Sequence, residues 1–358
     1  MIATSLHWRA ALCMAAVALG AAAAGFWPSA ARAQVANFHP CNAQPSLPIC
    51  LHGYGRRIAV RRWGAKPEPL DPDAAVKASL VTRNPVAEIE KLKSGAVLVE
   101  DMDTSEILFA RDEDAVRSIA SLTKLMTALV VVRAGVSLDE MIEIEASDRN
   151  LPSEIPPRLA AGARLSRSDL LHLALIASEN SAAHALGRTY PGGMAVFVQA
   201  MNAEALALGM RDSRFVEPVG LSNENVSTAR DLALLVRAAS LQPLIRRFTT
   251  DTRYEVGGQT FRNTNMLVGR PHWQILASKT GTTREAGDCL AMMVRLDGRD
   301  LAMILLDGQG MNGSRFGDAV RVRRVVDHRM AAAARALPDG GLPPAAPLQA
   351  AQYATQNR

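Results

Sequence analysis

Leu290-Ala-Met-Met-Val-Arg-Leu-Asp-Gly-Arg-Asp-Leu-Ala-Met-Ile-Leu-Leu306 is two apolar runs, Leu290 to Leu296 and Leu301 to Leu306, hinged on Asp297-Gly298. An Asp-Gly pair between strand-like runs is a strong hairpin signal, because both residues tolerate positive φ. Just upstream, Gln274 to Lys279 reads as another strand, leading into a Lys279-Thr-Gly281 turn. Far earlier, Gly95 to Glu100 and Glu106 to Ala110 are short apolar runs around Asp101-Met-Asp-Thr-Ser105, a second hairpin signature.

Helices fill the interval between these hairpins. The first spans about Ser121 to Arg133 and stops at Gly135; the next is capped by Ser166 or Ser168 and runs through Ile176. A third covers Ser181 to Arg188, ending at Pro191-Gly-Gly193. Two more run from Met194 to Leu208, closed by Gly209, and from Ala229 to Ser240, opened by Ser227-Thr228. A last helix is expected from Asp318 to Ala336. Strands at both ends of a helical middle predict an α+β fold, one antiparallel sheet built from distant segments and covered by helices, with an all-helical subdomain. About 245 residues suffice for one such core.

The flanks read differently. Residues 1–33 carry Arg9, an alanine-rich apolar run from Ala10 to Phe26, Pro28, and Ala31-Arg-Ala33 before Gln34, the pattern of a cleaved export signal. A run of about 17 residues is at the short edge of a membrane span, the competing reading. Residues 34–90 are rich in Pro and Arg and read as a disordered tether, a solvated linker in preference to a contact for anionic wall polymer or a partner protein. Residues 91–336 form the folded domain, and 337–358 a disordered Pro/Ala/Gln tail. Loss of the signal leaves 38 basic against 35 acidic residues, a weak +3. With aromatics at 4% and no arginine-aromatic stripe, nucleic acid is not an expected partner. The expected location is the periplasm, with no stable membrane anchor after cleavage.

Of the cysteines, Cys13 leaves with the signal, Cys41 and Cys50 could bridge in an oxidising compartment, and Cys289 sits in a buried strand. No metal-ligand spacing occurs among the His and Cys residues, so neither a metal nor another cofactor is expected.

Three short motifs carry the chemistry: Ser121-Leu-Thr-Lys124, Ser178-Glu-Asn180 and Lys279-Thr-Gly281. Together they supply a nucleophile, an amine base, a proton-relaying hydroxyl and a second cation, the requirements of acyl transfer through serine. Only six Lys accompany thirty-four Arg, so general positive charge is left to arginine. A Lys can lose its proton when desolvated or set beside another cation, whereas an Arg cannot. Ser121 and Lys124 are three apart, which stacks them on one helix face at its positive end. Taken alone, the first two motifs have blander readings, a helix cap with a surface lysine and a helix break, whereas Lys279-Thr-Gly281 is the more informative tripeptide. The joint occurrence of all three after an export signal has no such reading. In the functional reading Ser178 relays a proton, Asn180 donates to the substrate amide and Glu179 points away. Gly281 permits close approach, Thr280 and Thr282 offer hydroxyls to a carboxylate, and Lys279 lowers the Lys124 pKa by its charge.

These residues resemble the low-molecular-mass penicillin-binding proteins of the D-alanyl-D-alanine peptidase group. Ala120-Ser-Leu-Thr-Lys-Leu-Met126, Ala177-Ser-Glu-Asn-Ser-Ala-Ala-His184, Tyr190-Pro-Gly-Gly193, Ser227-Thr-Ala-Arg-Asp231 and Asn263-Thr-Asn265 extend the likeness over roughly residues 90–335. Within that group the chain looks like the penicillin-binding protein 7 type, D-alanyl-D-alanine endopeptidases that cut peptidoglycan crosslinks. The resemblance implies a β-lactamase/DD-transpeptidase-like fold, stem peptides as substrate and β-lactams as inhibitors. It implies acylation of Ser121, proton removal by Lys124, and transfer to the leaving amine assisted by Ser178 and Asn180. The Ser121 and Thr282 N–H groups would form the oxyanion hole, and Thr280, Thr282 and Arg315 would face the terminal carboxylate. Glu217-Pro-Val-Gly-Leu221 departs from the family's usual threonine at Val219. His184, one turn beyond Asn180, reads as a packed or solvated helix residue.

Carboxypeptidase relatives typically append an all-β domain and an amphipathic anchor, and residues 337–358 show neither pattern, which favours the endopeptidase. A β-lactamase needs a carboxylate to activate water; Glu154 is the one obvious candidate, in a Leu-Pro-Ser-Glu-Ile-Pro-Pro context unlike the class A pattern. A non-enzymatic β-lactam or wall-peptide sensor has no need of the retained Lys124 and Ser178.

Overall fold

The structure, a computed structural model, describes residues 84–309 and 314–335. The expected signal, nearly all of the tether with Cys41 and Cys50, and the tail lie outside those residues. The chain enters through α1 (Pro85–Glu90), a helix within the segment read as tether, whose N-cap Asn84 accepts from the Ala87 N–H. Then come β1 (Ser94–Asp101), β2 (Ile107–Arg111) and β3 (Arg117–Ser118), a 3₁₀ turn at Ala120–Leu122, and α2 (Thr123–Arg133). The helical middle holds β4 (Met141–Glu143), α3 (Ala146–Arg149), β5 (Arg164–Ser166), α4 (Arg167–Ile176), α5 (Asn180–Arg188) and α6 (Gly193–Ala207). Next follow β6 (Val226–Ser227), α7 (Ala229–Ser240), α8 (Pro243–Thr250), β7 (Arg253–Val256) and β8 (Gln259–Arg262). The chain closes with β9 (Gln274–Thr283), β10 (Gly287–Leu296), β11 (Arg299–Gly308) and α9 (Ser314–Arg335).

Five strands form one antiparallel sheet in the order β2-β1-β11-β10-β9. Asp297 (φ 48°) and Gly298 (φ 82°) both take the positive φ of a primed hairpin turn, so Leu296 pairs with Arg299. The sheet is buried on both faces. Along β1, Ala96 and Leu98 pack towards the helical middle, while Val97 and Val99 join Val322, Val325 and Val326 of α9 on the other side. Asp318 fixes α9 to the sheet by accepting from the N–H groups of Lys93 and Ser94 and from the Ser94 hydroxyl.

At the centre of the helical layer, every α2 residue from Thr123 to Val131 is buried. A helix buried all round is an interior element and not a surface one. The predicted caps hold at Ser166, which accepts from Asp169 N–H, and at Thr228, which accepts from Asp231 N–H. No helix of the described residues is long and apolar enough to cross a membrane.

Candidate active site

The 3₁₀ turn brings Ser121 to the head of α2 against β9, the edge strand of the sheet. Ala120, just before it, has φ 47°, a conformation L residues avoid outside overdetermined sites. Gly220 and Gly281 make room for this turn. A Cβ on Gly281 would lie 3.0 Å from the Ile119 carbonyl oxygen and 3.1 Å from the Ser121 nitrogen. The Lys279-Thr-Gly281 segment is thus not a turn, as the sequence suggested; it continues β9, and its glycine permits the close approach.

Lys124 is completely buried, and three acceptors surround its Nζ: Ser121 Oγ at 3.0 Å, Asn180 Oδ1 at 2.9 Å and the Val219 carbonyl at 2.7 Å. The ammonium form donates to all three. The neutral amine keeps its two carbonyl partners and turns its lone pair to the Ser121 hydroxyl, the geometry of a base. Because Val219 contributes its backbone oxygen, the missing threonine hydroxyl at that position does not touch this contact.

Burial pushes Lys124 down from 10.5 to about 7, while the carboxylates of Glu217 and Glu179 pull it back up. Dehydration, and not the neighbouring cation expected from the sequence, is the main cause. Lys279 lies well below its ordinary value, through burial first, then repulsion from Lys124 and Arg315. Two amines in one dry site do not readily carry two charges together. Lys279 Nζ donates to the Thr280 carbonyl at 2.8 Å.

Asn180 opens α5. Its Oδ1 accepts from Lys124, and its Nδ2 donates to Ser153 Oγ at 3.1 Å. Ser178 holds φ 58°, a second left-handed residue at the site. Glu179 does not point away as expected; it is buried, accepts from the Arg158 N–H at 3.4 Å, and burial raises its pKa. Opposite, Thr280 donates to Thr264 Oγ1 at 2.7 Å. Arg315 Nη1 donates to Thr282 Oγ1 at 2.5 Å, to the Gly281 carbonyl at 2.7 Å and to Asp288 at 3.0 Å.

A cleft of about 780 Å³ runs between these walls, within the size range of small-molecule sites. Ser121, Ser178, Asn180, Thr280, Gly281, Thr282 and Arg315 line it, and Lys124 and Lys279 are buried. The sequence-predicted residues thus come together around one groove. His184 is not among the lining residues; its Nδ1 lies 2.7 Å from Asp148 Oδ1, in a network that also takes Arg188. Glu154 is 84% exposed and paired with Arg284 at 2.6 Å, out of place for a water-activating base.

Several supporting residues had no assigned role in the sequence reading. Glu217 is the most important. Its carboxylate accepts from the N–H groups of Val219, Gly220 and Leu221 at 2.6 to 2.9 Å and from Asn225 Nδ2 at 2.9 Å, which sets the loop carrying the Val219 carbonyl. The Glu-Pro-x-Gly-Leu pattern was visible, but its hydrogen-bond accounting was not. Ser153, Thr264 and Asp288 are the others.

The sequence model of the peptidase S11 family, described as D-alanyl-D-alanine carboxypeptidase, matches residues 82–310. A D-alanyl-D-alanine endopeptidase of Pseudomonas aeruginosa is 43% identical over 256 residues, 70% of this chain and 82% of that protein. The same-named protein of Escherichia coli K12 is 40% identical over 266 residues, 72% of this chain and 84% of its own. Among solved structures, penicillin-binding protein D2 of Listeria monocytogenes in its cefotaxime-bound form superposes with TM-score 0.59 at 31% identity, covering 66% of this chain and 97% of that one.

Proposed function

The chain belongs to the peptidase S11 family of serine D-alanyl-D-alanine peptidases, and from that membership we propose that it is an endopeptidase which opens peptide crosslinks of peptidoglycan. The observation that carries the chemistry is the buried Lys124 amine 3.0 Å from Ser121 Oγ, held by two carbonyl acceptors that never titrate.

Ser121 Oγ attacks the D-alanyl carbonyl carbon while its proton passes to Lys124 Nζ. Charge gathers on the carbonyl oxygen, where the N–H groups of Ser121 and Thr282 receive it. The C–N bond then breaks. The leaving amine takes the proton from Lys124 by way of the Ser178 hydroxyl, and the acyl group stays on Ser121 as an ester. Water attacks that ester, its proton returning to Ser121 through Lys124. Thr280, Thr282 and Arg315 hold the carboxylate beside the scissile bond, and Asn180 Nδ2 exchanges Ser153 for a substrate carbonyl. A β-lactam forms the same ester with no departing fragment to make way for water, so it inhibits. The protein acts in the periplasm, delivered by residues 1–33.

Support for an endopeptidase over a carboxypeptidase comes from the two similar relatives of that name. The family description keeps terminal D-Ala removal as the second reading. Purified protein is expected to take fluorescent penicillin at Ser121 and to convert crosslinked muropeptide dimers to monomers. Labelling with loss of terminal D-Ala from pentapeptides, and with dimers intact, moves the assignment to carboxypeptidase. Rapid turnover of penicillin sinks both.

A further inference from the structure

One segment of the cleft enters this chemistry only through the contact of Ser153 with Asn180. Residues 151–158, Leu-Pro-Ser-Glu-Ile-Pro-Pro-Arg, form a loop along its helical wall. Both ends are anchored. Before it, Asp148 is fully buried and holds His184 and Arg188. At its far end, Arg158 donates its N–H to Glu179, its Nη2 to the Thr260 carbonyl at 3.0 Å, and lies 3.9 Å over the Phe261 ring. The middle is exposed, Ile155 at 69%. Two consecutive residues of that middle reach the groove. Ser153 meets Asn180 on its own wall, and Glu154 meets Arg284, just past the end of β9, on the wall opposite. The Glu154–Arg284 pair therefore ties the two walls together at the rim.

Both partners are about four-fifths exposed, so the pair is screened and separates easily. Arg284 follows Thr282 by two residues. With the carboxylate of the leaving half on Thr282 and Arg315, the other substituent of the carbon that bears it lies in the stretch of the cleft that Arg284 also lines. A terminal D-Ala places only a methyl there. A crosslink places a whole second stem peptide, with carboxylates of its own. A guanidinium fork suits a carboxylate in two-point contact, and Glu154 occupies it through one contact only, Arg284 Nη2 to Glu154 Oε1 at 2.6 Å.

We propose that Arg284 is a specificity-determining residue for crosslinked substrate: a carboxylate of the leaving stem takes the place of Glu154 on its guanidinium and opens the tie across the groove. The inference rests on the endopeptidase reading. Glu154 is then a built-in competitor, and the two residues have opposite effects on affinity.

Binding is measured on the Ser121→Ala protein, which holds substrate without cutting it. The ligands are a crosslinked muropeptide dimer, the same dimer with its leaving-stem carboxylates amidated except the one beside the scissile bond, and a diacylated tripeptide ending in D-Ala-D-Ala. Arg284→Gln is expected to weaken dimer binding about threefold and Glu154→Gln to tighten it by a similar factor, the scale of an exposed ion pair. Neither change should move the amidated dimer or the tripeptide, and Glu154→Gln should have no effect once Arg284 is gone. Equal shifts for all three ligands, or an unchanged dimer Kd in Arg284→Gln, overturn the proposal. Turnover of dimer by the unsubstituted protein is scored separately. Its absence removes the endopeptidase reading, while the binding series still decides whether Arg284 receives a stem carboxylate.

Discussion

Gly220 lies against Ala120 so closely that a Cβ on the glycine would sit 2.0 Å from the Ala120 carbonyl oxygen. Gly220 also has φ 86°, a region that favours glycine. Two unusual backbone conformations, one before the nucleophile and one in the loop that holds its base, thus fit only with each other.

Gly220→Ala is therefore expected to displace the turn that bears Ser121. The positive φ alone costs about 1–2 kcal/mol, before any clash. A shift near 1 Å at a reacting group lowers rates about 100-fold. Second-order acylation by fluorescent penicillin, with the melting temperature measured alongside, checks this. Acylation at the normal rate would show that the contact is slack.

With Lys124 near 7, kcat/KM for acylation should fall about tenfold per pH unit below that value, because only the neutral amine accepts the serine proton. Lys124→Arg keeps a cation but no usable base and should be inactive at every pH between 5 and 9. A flat acid limb, or an active arginine variant, removes Lys124 from the role.

Glu217→Gln has two readouts. Replacing one carboxylate oxygen by an NH₂ group sets a donor against a backbone N–H of the 219–222 loop, at a cost of about 1–3 kcal/mol of stability. It also removes the largest charge that favours protonated Lys124, so the acid limb of the pH profile should move to lower pH. A limb that moves up would contradict the electrostatics described here.

His172 is buried between Phe248 and Tyr254, ring centroids 4.1 and 3.8 Å away. Its Nε2 is 3.2 Å from Asp251 without the alignment of a hydrogen bond. Burial depresses its pKa from 6.5 to about 4. Above pH 6.5 the ring is neutral in folded and unfolded chain alike. As pH falls from 6.5 to 4, only the unfolded chain takes the proton, so stability is lost. His172→Phe should reduce the drop in melting temperature between pH 7 and pH 5, and an undiminished drop would place the acid sensitivity elsewhere.

The hairpins, the caps at Ser166 and Thr228 and the interior helix at Ser121 were all legible, because each rests on local periodicity or turn chemistry. Elements whose signal is short were not. β4 and β5 are three residues each, held by pairing with one another. The hairpin β7–β8 did carry a Gly257-Gly258 pair between Arg253–Val256 and Gln259–Arg262, a turn signal that weak flanking strands obscured. At Lys279-Thr-Gly281 a glycine suggested a turn, yet what Gly281 supplies is space for Ser121. For the site, residue types that do chemistry were readable from the motifs. Glu217, Ser153 and Asp288 were not, because their work is to satisfy or aim other groups across long stretches of chain. The origin of the Lys124 shift was also hidden, since burial is not written in a motif.

The sheet's central strand, β11 near the end of the folded chain, pairs with β1 near its start, with Leu98 opposite Ile304. A nascent chain that has not yet delivered residues 299–308 leaves β1 and β10 each lacking a neighbour, and β9 lacking the sheet that presses it against Ser121. A chain stopped before residue 299 is therefore expected to bind no penicillin, because the wall that faces Ser121 is assembled only when the last strands join the first.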